Sequence, residues 1–127
     1  MVIKVTQIRF DSPQTIHFIG IGGISMSAIA ELLHRKGFRI SGSDDRKSRH
    51  TEQLEALGIE IMYGNRASNI REGVDLIVYT AAIREDNLEY KAALASGIPM
   101  LSRAELLGQI MLAYKDAVGI AGTHGKT

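Results

Sequence analysis

Short apolar runs alternate along the chain with longer stretches of helical period, so the pattern reads strand, helix, strand, helix. Thr15–Ile19 (TIHFI) is an apolar strand that runs straight into Gly20-Ile21-Gly22-Gly23. Residues 24–36 then read as a helix. Met26, Ile29, Ala30 and Leu33 form its buried stripe, Arg35 and Lys36 fall in the last turn, and Gly37 closes it. Residues 38–42 are a second strand ending at Ser43-Asp44-Asp45. Residues 48–57 are a second helix with Leu54 and Leu57 inward and Gly58 as its stop. A third strand is predicted over 59–62 and a fourth over 75–79, whose unbroken apolar centre predicts burial on both faces. Residues 86–96 read as a helix capped by Asp86 with Glu89 three positions on, ended by Gly97 and Pro99. A fifth strand follows over 98–101. Ser102 and Glu105 then form a capping box, opening a helix with Leu106, Leu107, Ile110 and Met111 inward. Residues 116–121 are a sixth strand. Residues 2–10 alternate roughly apolar and polar, as an edge strand or an extended arm.

Strands that alternate with helices pair in parallel through right-handed crossovers. The expected fold class is therefore α/β, a Rossmann-like, doubly wound and mainly parallel sheet with helices on both faces. The length of 127 residues fits one domain with a real core. Fifteen Lys and Arg against fourteen Asp and Glu leave +1, which excludes nucleic-acid binding by bulk charge. The absence of Cys excludes disulfides, thiol catalysis and thiolate metal sites, and the four scattered His residues have no ligand spacing. No apolar run is long enough to span a bilayer and the start does not read as a signal peptide, so a cytoplasmic protein without membrane contact is expected.

The first candidate site is the glycine corner. Glycines let the main chain turn sharply and approach a phosphate, and the helix behind them aims free N–H groups at the anion. Of the G-x-G-x-x-G fingerprint, Gly20 and Gly22 are present, while Ser25 stands at the third position. Asp44, at the end of the second strand, is placed to accept from ribose hydroxyls; the same segment is good turn chemistry. A nicotinamide dinucleotide and a UDP-sugar both offer a diphosphate and a ribose, so these residues leave both ligands open. A tight turn without ligand is the structural alternative.

The second candidate is Gly122-Thr123-His124-Gly125-Lys126-Thr127, directly after the sixth strand. In a P-loop, backbone amides wrap the phosphates, the Lys reaches the β- and γ-phosphates, and the Thr hydroxyl binds Mg²⁺. The standard spacing fails at its first member, where Ile120 stands in place of Gly. The sequence ends before the helix such a loop feeds. The expectation is an N-terminal piece of a longer enzyme, with very weak ATP binding of its own.

Together the two loops resemble the Mur ligase family of peptidoglycan synthesis. HFIGIGGISMSAIAELL from His17, Ser41-Gly42-Ser43-Asp44, Thr80-Ala81-Ala82-Ile83 with Asp86-Asn87, and Arg103-Ala104-Glu105 are similar to members that join L-alanine to UDP-N-acetylmuramate. The likeness runs from about Thr15 to Thr127. It implies a three-domain, ATP-dependent amide ligase of cell-wall synthesis that forms an acyl phosphate on the sugar's lactyl carboxylate, which the amine of L-alanine then displaces. It further implies a UDP-N-acetylmuramate-binding domain over residues 15–115, with residues 1–14 as an extension. Residues 116–127 would be the start of an ATP-binding domain. Gly20, Gly22, Gly23, Ser25, Met26 and Ser27 would surround the diphosphate. Ser43 and Asp44 would meet the uridine end, and Thr80 and Ala82 would border the nucleotide. Gly122, Thr123, His124, Gly125, Lys126 and Thr127 would serve ATP, with Thr127 on Mg²⁺, in the intact enzyme. The piece alone would bind the UDP-sugar without catalysing. Asn65 after Gly64, Thr80-Ala81 and Ser102-Arg103 depart from frequent family residues at those places. A related ligase that attaches a recycled tripeptide to the same UDP-sugar is a near neighbour.

Blander readings stand beside these. Met26 and Met62 suit core filling, His17 a structural place inside a strand, and Tyr79 packing. Arg46, Lys47, Arg49 and Arg66 suit a solvated surface, though one of them can steer a diphosphate. The competing functions are an NAD(P)-binding oxidoreductase domain, in which GTHGKT has no role, and a non-catalytic nucleotide-sensing module.

Overall fold

The computed structural model describes Ile8 and residues 14–113. Five strands, β1 (Thr15–Ile19), β2 (Arg39–Asp44), β3 (Glu60–Tyr63), β4 (Leu76–Tyr79) and β5 (Met100–Ser102), alternate with four helices. These are α1 (Ile24–Arg35), α2 (Arg49–Ala56), α3 (Leu88–Ser96) and α4 (Arg103–Ala113), and a short 3-10 helix at Ala67–Asn69 lies between β3 and β4. The strand order is β3-β2-β1-β4-β5 and every pairing is parallel. The doubly wound α/β expectation is met. The order reverses at β1, which pairs with β2 on one side and β4 on the other. Such a reversal opens a crevice at the carboxyl ends of the strands. The predicted sixth strand and the GTHGKT loop lie outside the described residues.

Side chains alternate across the sheet and divide the core in two. On one face Ile16, Phe18, Leu76, Val78 and Leu101 pack with the α1 stripe of Met26, Ile29, Ala30 and Leu33, with Leu54 of α2 and with Leu106 and Ile110 of α4. On the other face Ile19 and Ile77 pack with Ala93 of α3, bordered by Ile70, Val74 and Ile98. Each fully buried aliphatic side chain contributes roughly 1.5–3 kcal/mol. Ile8 belongs to the first cluster, and its N–H donates to Gln109 Oε1 of α4 at 2.8 Å.

The helix ends show where local signals decided the structure. Ser48 Oγ accepts from Thr51 N–H at 3.3 Å while Thr51 Oγ1 accepts from Ser48 N–H at 2.8 Å, so α2 starts on a reciprocal cap. Ser102 and Glu105 cap α4 in the same way, as the sequence predicts. The cap of α3 is Asn87, whose Oδ1 accepts from Tyr90 N–H at 2.9 Å, and not Asp86. Asp86 is engaged by the Arg84 guanidinium at 3.0 Å, one residue upstream of the cap. Met111, expected inward, is 64% exposed. It lies about 100° around the helix from Ile110, which holds the buried stripe with Leu106.

Candidate functional site

The glycine corner follows β1. Gly20 takes φ +86°, a left-handed conformation that glycine alone enters readily. Its N–H and that of Ile21 both donate to the Ser43 carbonyl, at 2.8 and 2.9 Å. Gly22 N–H donates to Asp44 Oδ2 at 2.8 Å, and Gly23 N–H donates to the Gly20 carbonyl at 3.3 Å. The amides of Gly20, Ile21 and Gly22 thereby tie the corner to the end of β2, and that of Gly23 closes the corner on itself. A Cβ on Gly22 would lie 2.7 Å from Asp44 Oδ2 and 2.9 Å from Thr51 Cγ2. A Cβ on Gly42 would lie 2.5 Å from Cδ1 of Ile21, whose side chain is wholly buried in the first core cluster.

Since the glycine amides are engaged, the amides aimed outward are those of the first turn of α1. Gly23 caps that helix without a side-chain hydrogen bond, and no acidic residue stands in its first turn. Orphan amides and the positive dipole end together favour an anion there. Beside this turn, Arg103 Nη1 of α4 donates to Ser25 Oγ at 3.1 Å, bringing a cation to the same corner.

Next to the corner lies a cleft of about 270 Å³ at the carboxyl end of the sheet. Gly20, Asp44, Thr80 and Ala82, all expected from the sequence, line it. Asp44 is braced, with Oδ1 accepting from Asp45 N–H at 2.8 Å as Oδ2 accepts from Gly22. The structure adds Asp45, Asn65, Arg84 and Asn87 to the lining. Asn65 Nδ2 donates to Asp45 Oδ1 at 2.5 Å, joining the β3 and β2 ends across the mouth. Arg84 holds the Asp86 carboxyl below the usual carboxylate range.

Other expected residues lie beside the cleft. The Met26 side chain is in the core, and Ser27 is buried with its hydroxyl on the Ile24 carbonyl and its N–H on the Gly23 carbonyl at 2.8 Å, so neither side chain reaches the cleft. Ser43 is fully buried; its carbonyl holds the corner and its hydroxyl points to the α3 face, donating to Glu89. Lys47 is paired with Glu55 at 3.3 Å and lies over Tyr63. Tyr79 packs on Tyr90 with centroids 5.4 Å apart, and burial pushes its phenol up. The ATP and Mg²⁺ expectations at residues 122–127 lie outside the described residues. Among the described residues there is no cluster of three or more His, Asp or Glu placed to hold a metal, and no helix is long and apolar enough to cross a membrane.

Comparison with known proteins bears on this geometry. Residues 15–115 match the family model described as Mur ligase family, catalytic domain. UDP-N-acetylmuramate--L-alanine ligase of Agathobacter rectalis is 61% identical over 121 residues, 95% of this chain and 26% of that protein. The Lachnoclostridium phytofermentans protein of the same name is 58% identical over 94% of the chain and 26% of its own length. The chain thus spans about a quarter of these curated relatives. Among solved structures, UDP-N-acetylmuramate-alanine ligase of Thermotoga maritima superposes with a TM-score of 0.76 at 34% identity, over 80% of this chain and 24% of that one. A shikimate dehydrogenase from Aquifex aeolicus, at 19% identity and a TM-score of 0.51 over 84% of this chain and 49% of its own, shares the fold alone. From the match over residues 15–115 and these identities, the chain belongs to the Mur ligase family.

Proposed function

We propose that this chain is the UDP-sugar-binding part of a ligase that joins L-alanine to UDP-N-acetylmuramate in peptidoglycan synthesis. The observation that carries the reading is the cleft beside the α1 corner. Asp44, braced by two backbone amides, suits a ribose hydroxyl, and the uncapped start of α1 with Arg103 beside it suits a diphosphate. The curated relatives above carry that ligase name at 58–61% identity over nearly the whole chain, which favours L-alanine over other amino acids. In this reading Gly20, Asp44, Thr80 and Ala82 border the uridine. The main chain at Gly22, Gly23, Ser25, Met26 and Ser27 and the Ser43 carbonyl shape the diphosphate corner. The described residues bind and orient. ATP and Mg²⁺ would belong to residues 122–127 and to the rest of the intact enzyme. There the lactyl carboxylate takes up the phosphoryl group before the L-alanine amine displaces it. The chain alone binds the nucleotide sugar without turnover.

A ligase for a peptide rather than a single amino acid is the second reading. It is favoured by the Neisseria meningitides structure named UDP-N-acetylmuramate:L-alanyl-gamma-D-glutamyl-meso-diaminopimelate ligase, which superposes with a TM-score of 0.73 at 31% identity over 81% of this chain and 32% of that one. Titration calorimetry of the chain with UDP-N-acetylmuramate and with NAD⁺ tests the nucleotide assignment. Binding of the UDP-sugar alone is expected, and tighter binding of NAD⁺ would overturn it. Turnover by the intact enzyme with L-alanine against the tripeptide separates the two ligases.

A further inference from the structure

Five polar side chains are buried together on the α3 face of the sheet: His17, Ser41, Ser43, Asn69 and Glu89. Glu89, on the first turn of α3, is wholly buried and touched by three donors. His17 Nε2 lies 2.5 Å from Oε2, Ser43 Oγ donates to Oε2 at 2.8 Å, and Asn69 Nδ2 donates to Oε1 at 2.9 Å. Behind them Ser41 Oγ is 2.9 Å from His17 Nδ1. The arrangement is that of an acceptor-only carboxylate surrounded by donors. Asn69 reaches further, since Nδ2 also donates to the Gly64 carbonyl at 2.8 Å, and Gly64 N–H donates to the Asp44 carbonyl at 2.8 Å.

A buried polar cluster of this kind is weak evidence for stability, because apolar packing of the same volume often does as well. What this cluster does is join segments that are distant in sequence. Three members stand one to three residues from cleft-lining positions, His17 from Ile19 and Gly20, Ser43 from Asp44 and Asp45, and Glu89 from Asn87, while Asn69 holds Gly64, the neighbour of Asn65. The Ser43 carbonyl also holds the Gly20 and Ile21 amides.

We propose that Glu89 and Asn69 are positioning residues for the nucleotide cleft, setting the distance between its β1, β2, β3 and α3 walls without touching the ligand. This rests on the reading of the cleft as a uridine-diphosphate site. The test uses the 127-residue chain with Asn69→Leu and, as the gentler variant, Glu89→Gln, which removes one acceptor among three donors. Two measurements are made: calorimetry with UDP, and amide hydrogen exchange without ligand. Asn69→Leu is expected to weaken UDP binding at least tenfold. It should speed exchange of Gly64 N–H while Ile77 N–H, bonded to the Pro99 carbonyl, keeps its protection. Glu89→Gln is expected to weaken UDP several-fold with its fold intact, and it decides the matter if Asn69→Leu does not fold. Unchanged UDP affinity in the folded variants, or a uniform rise in exchange at Gly64 and Ile77 alike, overturns the proposal in favour of a purely structural cluster. A wild-type chain that does not bind UDP overturns the ligand reading instead, and the exchange contrast then decides the positioning role alone.

Discussion

Gly22 carries a larger share of the corner than its place in a glycine pattern suggests. Its amide is bonded to Asp44 and its α-carbon leaves no room for a methyl group against that carboxylate. Gly22→Ala therefore drives Asp44 out of its braced position. The substitution is expected to destabilise the fold by about 1–3 kcal/mol and to lower UDP affinity at least tenfold, read by thermal unfolding and calorimetry. Unaltered affinity would mean that Asp44 does not meet the ligand. At this scale the sequence was partly legible. Gly20, Gly22 and Asp44 stood out because their residue types are constrained by backbone geometry and by what they accept. Ile21 did not, because an apolar residue between two glycines carries no sign that it plugs the core. Glu89 was equally opaque. Three positions past Asp86 it looks like a cap partner, and only the packed α3 face shows it buried among donors.

At the level of elements, the starts of α1 and α4 meet. The uncapped turn of α1 offers amides, and the first residue of α4 supplies the guanidinium that reaches Ser25. Arg103→Met keeps the aliphatic stem and removes the charge. If the proposed diphosphate corner is right, it is expected to weaken UDP by about tenfold, ~1.4 kcal/mol, and to leave uridine affinity unchanged. Added salt should narrow the gap between wild type and variant as the charge is screened. Equal losses for UDP and uridine would contradict this placement. Helix and strand bounds were legible to within a residue or two, because caps and stripes are local. At α3 the sequence offers two good caps in a row, Asp86 and Asn87; the structure uses Asn87 and leaves Asp86 paired with Arg84. The Arg103 contact joins residues 78 positions apart, and no local pattern encodes it.

For the whole molecule, the alternation of strands and helices was enough to give a parallel doubly wound sheet, and the reversal at β1 places the cleft. The far wall of that cleft was not legible. Asn65, Arg84 and Asn87 come from polar connections without periodicity, and only the tertiary fold brings them to Asp44 and Asp45. A ligand held by four separate segments binds the folded chain and not the unfolded one. UDP at a hundred times its Kd is therefore expected to add about 2.7 kcal/mol of stability, seen as a rise in melting temperature. NAD⁺ at the same concentration should give no rise, and an equal shift from both would count against a uridine site.

The contact between Ile21 and the bare α-carbon of Gly42 makes two distant positions one unit of inheritance. A side chain gained at position 42 lifts the neighbouring turn away from the sheet unless position 21 shrinks in step. A larger residue at position 42 is expected to be tolerated only with a smaller one at 21, and the bend over residues 20–23 keeps its height above the strands through a steric interlock as well as through hydrogen bonds.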